Sequence, residues 1–131
     1  MRCGLLVALV LVTAACGAYR FPGASPAATG TVSGQVMAVP CAPVESIKQP
    51  CTGRVVPGLA IDFSNGDQTQ TATTDSTGHY SIVLATGSWN VTMKSNMRII
   101  SGPPAVTVSA AATVIANFLL DSGIRVPVPQ Q

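Results

Sequence analysis

Charge is what this chain has least of. Charged residues make up 9% of it and the formal net charge is +2, so there is no strong field of either sign to steer a polyanion. No basic stripe interleaved with aromatics offsets that shortage, and nucleic acid is not an expected partner. Histidine occurs once, as His79, too few for a centre built on several imidazoles. With one tryptophan, two tyrosines and three phenylalanines in the chain, Trp89, in register with Val91 and Met93, is expected in the core, with a sugar-stacking platform as the alternative. No window carries helical amphipathicity or helix caps. No apolar run reaches the about 20 residues that a membrane-spanning helix needs.

What is present begins with "MRCGLLVALVLVTAACGAYR". Arg2 supplies a positive start, Leu5 to Val12 an apolar stretch and Thr13-Ala14-Ala15 a zone of small residues, the pattern of an export signal over residues 1–15. The following cysteine makes "VTAAC", which resembles the lipobox of bacterial lipoproteins, with Thr13 where leucine is usual. That resemblance implies Cys16 as the lipid-bearing mature N-terminus (palmitate among its acyl chains), anchored by about 0.8 kcal/mol per buried methylene. Plain secretion, with Cys16 left free, is the alternative. Residues 16–30, rich in Ala, Pro, Gly and Ser, read as a flexible tether.

Of the four cysteines, Cys3 belongs to the signal and Cys16 to the anchor, which leaves Cys41 and Cys51. In an exported chain such a pair is expected to form a disulfide. A zinc site would need further ligands, and His79 lies in another segment. No cofactor is expected.

The chain is the size of one domain, and from Thr31 on it reads as strand after strand. Val32, Gly34, Val36 and Ala38 share one side of a first strand, before an irregular loop over Cys41 to Arg54. After the Pro57-Gly58 turn, Leu59, Ile61 and Phe63 alternate with polar or small residues, and Asn65-Gly66 signals a hairpin. The strand beyond it, to Thr74, is nearly all threonine and glutamine, hence solvent-facing and near an edge. Tyr80, Ile82 and Leu84 share a face, as do Trp89, Val91 and Met93. A short strand over Ala105 to Val108 precedes a last one from Thr113 to Leu120, apolar on both faces and expected to be covered on both. The expectation is an all-β, seven-stranded antiparallel sandwich over residues 31–121, followed by an extended tail over 122–131.

Several short motifs recur in order: Gly34 and Val36; Pro57 and Gly58; Thr74, Asp75, Gly78 and Tyr80; Gly87, Trp89 and Val91. Together they resemble the carboxypeptidase regulatory-like domain, also called transthyretin-like or prealbumin-like. Thr86 stands for the usual proline and Trp89 for tyrosine, and the cysteine loop is an insertion on the pattern. The resemblance implies a non-catalytic, Ig-like or prealbumin-like sandwich that accompanies exported enzymes and receptors or stands alone at a surface. Related hydrolases carry several histidines and a Tyr-Arg-Gly-Ser ending, whereas this chain ends Val-Pro-Gln-Gln. Isopeptide-forming adhesins need a lysine on the first strand; Asn117 is suitably placed, but Thr31 to Val39 has none.

Asp75, His79 and the hydroxyls between them invite a catalytic reading. A triad needs carboxylate, imidazole and nucleophile in series beside an oxyanion hole. Asp75-Ser76-Thr77-Gly78 is instead turn chemistry, with His79 pointing away from the side that Tyr80 takes. The expected function is therefore non-catalytic binding or interaction at the bacterial cell envelope, at a cell or outer membrane. The membrane is reached through the lipid, and a glycan, peptidoglycan or a protein is the ligand class. A hydrolase or hydrolase accessory subunit using His79, and a purely structural spacer, are the alternatives.

Overall fold

The computed structural model describes Gly23, residues 25–45, Lys48 and residues 50–123. The expected signal, Cys16, much of the tether and the tail from Ile124 onward lie outside the described residues. Among these, the chain forms ten strands: β1 (Thr29–Val39), β2 (Arg54–Val55), β3 (Ala60–Asn65), β4 (Gln68–Thr73) and β5 (His79–Ala85). β6 (Gly87–Met93), β7 (Arg98–Ser101), β8 (Ala105–Val108), β9 (Thr113–Ile115) and β10 (Phe118–Asp121) follow.

The expected seven strands become ten for identifiable reasons. β2 is only two residues long and β7 has all four residues exposed, so neither shows the alternation that marks a half-buried strand. The expected final strand is broken at Ala116–Asn117 into β9 and β10. Nor is it covered on both sides: Ile115 is 65% exposed. β1 also opens two residues ahead of its expected start, at Thr29.

Two sheets result. One is antiparallel, in the order β4-β3-β6-β8. The other has six strands and is mixed, which corrects the all-antiparallel expectation. Its spine is β1, an 11-residue strand. Along its first part β1 pairs antiparallel with β5 (Thr29↔Ala85 to Gln35↔His79) and parallel with β9 (Thr31↔Thr113 to Ser33↔Ile115). Farther along it pairs with β2 and, in parallel, with β10 (Val36↔Phe118 to Val39↔Asp121), and β10 in turn pairs with β7.

Period-two patterning sends one face of each strand into the space between the sheets. Val32, Val36, Ala38, Leu84, Phe118 and Leu120 enter from the six-stranded sheet, and Ile61, Phe63, Trp89, Val106 and Val108 from the four-stranded one. Phe63, Tyr80 and Phe118 form a row of tilted rings at centroid distances of 6.1 and 6.4 Å, a spacing at which aromatic pairs attract beyond their burial.

Cys41 and Cys51 are joined by a disulfide, with Cα atoms 5.7 Å apart. The bridge closes the excursion between β1 and β2. Replacing both cysteines by serine is expected to lower stability by about 2–3 kcal/mol, chiefly by freeing the unfolded chain. Urea unfolding of the two forms reads the difference as a lower midpoint.

Candidate functional site

The segment from Thr73 to Val91 crosses between the sheets twice. β4 lies in the four-stranded sheet, β5 in the six-stranded one and β6 back in the first. Each crossing is a polar corner with a built hydrogen-bond pattern.

At the first corner Asp75 Oδ1 accepts from the Thr77 amide at 2.8 Å, the Thr77 hydroxyl at 2.7 Å and the His79 amide at 3.0 Å. Two backbone bonds close the loop, Asp75 N–H to His79 O and Gly78 N–H to Asp75 O. Gly78 takes a φ of +75°, and a Cβ there would press on the Val36 carbonyl at 2.7 Å, so both conformation and space require glycine. The Gly78 carbonyl accepts from the Val36 amide, which fastens the corner to β1.

This geometry bears on the catalytic alternative. The Thr77 hydroxyl stands between the carboxylate and the ring, 2.9 Å from His79 Nδ1. A triad needs the carboxylate on the imidazole and the nucleophile beyond it; here the hydroxyl occupies the middle position. The arrangement can brace a turn, and it does not generate a nucleophile. Among the described residues no three His, Cys, Asp or Glu side chains converge as metal ligands do.

The Thr77 hydroxyl, then the Thr77 and His79 amides, hold the Asp75 carboxyl below its ordinary value of 3.8. A carboxyl lowered on folding stabilises above its unfolded pKa, and that contribution fades as pH falls through the folded one. Acid titration of wild type against Asp75→Asn is expected to show a wild-type advantage at neutral pH that shrinks as the carboxyl protonates. A gap independent of pH would mean that the carboxylate charge is not what holds the corner.

At the second corner, Thr86 donates its amide to the Ala28 carbonyl, and Trp89 Nε1 donates to the Ala85 carbonyl at 2.9 Å. Trp89 is fully enclosed, which leaves no ring surface for stacking a ligand. Thr74, expected in the solvent-facing strip, is buried. Its hydroxyl accepts from the Leu59 amide and donates to the Val56 carbonyl, pinning the Pro57–Gly58 turn. Nothing in the sequence marks that clamp, whose partners lie 15 and 18 positions away.

Among the described residues, two exposed polar features stand out for recognition. The first is β4: Gln68, Thr69, Gln70, Thr71 and Thr73 are exposed and only Ala72 is buried. Its hairpin to β3 closes on Asn65↔Gln68, so the two loop residues are Gly66 and Asp67, one position later than the Asn-Gly cue. Thr71 donates to Asp62, and this bond, with Lys94 at 3.2 Å, holds the Asp62 carboxyl low.

The second is an open groove of about 290 Å³ on the outer face of the six-stranded sheet. Gln35, Met37, Asn117 and Leu119 line it from the sheet, and Thr52 and Ser101 at its sides. Asn117 Oδ1 accepts the Gln35 amide where β9 gives way to β10, and Gln35 Nε2 donates to the Thr77 carbonyl. These partners are 82 and 42 positions apart, beyond the reach of local sequence reading.

No family model matches the chain, and no curated protein matches it in sequence. Among solved structures, the Bacillus anthracis TIE protein is similar over 72% of this chain and 16% of that one, at 14% identity and a TM-score of 0.53. GBS52, the minor pilin of Streptococcus agalactiae, is similar over 80% of this chain and 48% of that one, at 19% identity and a TM-score of 0.52. The likeness to a DUF3823 family protein of Parabacteroides merdae is looser, at a TM-score of 0.46. The chain therefore spans about a sixth and about half of the first two proteins, and at these identities what it shares with them is the β-sandwich architecture.

Proposed function

We propose that the chain is an exported, lipid-anchored and non-catalytic β-sandwich that serves as an interaction module at the bacterial cell envelope. In this reading residues 1–15 direct export, Cys16 carries the lipid and the segment from there to residue 28, ahead of β1, holds the sandwich off the membrane. The carboxypeptidase regulatory-like motifs describe the frame, and recognition runs through exposed β4 and the loops beside it. The observation that carries the reading is β4 itself: an uncharged strip of hydroxyls and amides at the edge of a sheet, in a chain whose β1–β2 loop is closed by a disulfide. Disulfides persist in oxidising compartments, and recognition concentrates on exposed segments of rigid scaffolds. The minor pilin is one protein of a bacterial pathogen that uses a similar architecture.

Two measurements test this. Mass spectrometry of the mature N-terminus is expected to find Cys16 acylated; an unmodified terminus beginning at Tyr19 overturns the anchor. Pull-down with the intact protein is expected to retain peptidoglycan, a glycan or an envelope protein, and paired substitution of Thr69 and Thr71 by lysine to release it. Retention unchanged by those substitutions overturns β4 as the recognition strand.

A further inference from the structure

We propose that β4 is a homotypic edge: two copies of the chain pair through it, antiparallel about a two-fold axis, joining their four-stranded sheets into one. This rests on β4 as the recognition strand and names the partner as a second copy.

The strand is built for continuation. It ends the order β4-β3-β6-β8 and pairs with β3 over six consecutive residues, Asn65↔Gln68 to Ala60↔Thr73, without a bulge. Its sequence, QTQTAT, has no proline, glycine or charge, so it lacks the devices by which edge strands repel one another. Most other edges differ: β2 and β9 have two and three residues, β7 carries Arg98 and an irregular register against β10, and β8 has four residues. β5 is a longer edge, but it starts at His79 and is largely apolar where β4 is mostly hydroxyls and amides.

Register singles out Gln70. It stands opposite Phe63, a fully buried inward residue, and so occupies an inward position itself while remaining exposed. A neighbouring strand would extend the layer over its amide.

Two-fold symmetry then fixes what meets what. In an antiparallel pair, opposed residues lie on the same face of the sheet. Centring the axis on Gln70 sets it against Gln70 of the second copy, Thr69 against the second copy's Thr71 and Gln68 against its Ala72. Asp67, at the hairpin, meets Thr73 and not another acid. At the centre amide faces amide and the threonine hydroxyls face each other, and no like charges are opposed; a charged partner strand would find nothing on β4 to neutralise it. Cross-strand pairs of this kind are the stabilising unit of sheets, and an isologous interface of identical patches is the commonest form of dimer.

The test uses the full chain in the exporting cell. Thr69→Cys and Thr71→Cys versions are co-expressed, and disulfide-linked dimers are read on a non-reducing gel. The mixed Thr69–Thr71 crosslink is expected to exceed either version expressed alone severalfold. Adding Gln70→Lys, which opposes two ammonium groups, is expected to cut the crosslink severalfold, while an unchanged circular dichroism spectrum of that variant controls for folding. If the crosslink is absent and pull-down of peptidoglycan or an envelope protein still depends on β4, the second copy is the wrong partner and the recognition reading survives. If both are absent, the two fall together.

Discussion

Trp89→Ala is expected to lower stability by about 3–5 kcal/mol, the range for truncating a large buried aromatic. Trp89 heads the largest fully buried side chains of the core. It sits on β6, between β3 and β8, opposite the buried Val106. Removing the indole leaves a cavity between the sheets and strips the Ala85 carbonyl of its Nε1 donor. A domain of this size has a total stability of about 5–15 kcal/mol, so this one change consumes a large share of it. Trp89→Phe separates the two contributions: it keeps most of the volume and loses the hydrogen bond, for about 1 kcal/mol plus a smaller cavity. Urea unfolding followed by circular dichroism suits both, since the chain has no other tryptophan to report by fluorescence. A Trp89→Ala protein with an unchanged midpoint would mean that the indole is not central to the core.

Gly34→Ala is the second change expected to have a large effect, although it adds a single methyl group. Gly34 lies on β1 where the partner strand passes from β9 to β10, and a Cβ there would collide with the backbone carbonyl of Ala116. On its other side Gly34 pairs with Tyr80. The Tyr80 hydroxyl reaches across to donate to that same Ala116 carbonyl at 2.6 Å, and burial raises its pKa. The Ala116 amide meanwhile donates to the Ser33 carbonyl. Because the obstructing atoms are backbone held from both sides, they cannot swing away as a side chain would. The cost belongs at the upper end of overpacking, about 3 kcal/mol or more. Tyr80→Phe keeps the ring and drops only the hydroxyl, and is expected to cost about 1–2 kcal/mol. The ordering, with glycine to alanine worse than tyrosine to phenylalanine, is the result to check by denaturant midpoints.

These residues also mark how far the sequence could be read. Leu59, Ile61 and Phe63 alternate cleanly and lie where that alternation puts them, as do Trp89 and Val91. The turn at Asp75 was visible because its carboxylate serves amides two and four positions ahead. The break at Ala116–Asn117 was not, since its cause lies on β1 and β5, far off in sequence. Ile99 and Ile100 sit side by side on an exposed edge, so β7 has no periodicity to betray it. Local chemistry was legible, and contacts between remote segments were not.

The parallel pairing of β1 with β9 and β10 has a consequence for the order of events in folding. The amide of Gln35 waits for a partner 82 residues downstream, and Val36, in the middle of the spine strand, aligns with Phe118. A chain emerging from the ribosome therefore cannot complete its first strand's pairings until nearly the last described residue has been made. Such long-range closure folds slowly, and a chain that is slow to close stays threadable for longer. The topology thus leaves the six-stranded sheet incomplete until β10 has been made.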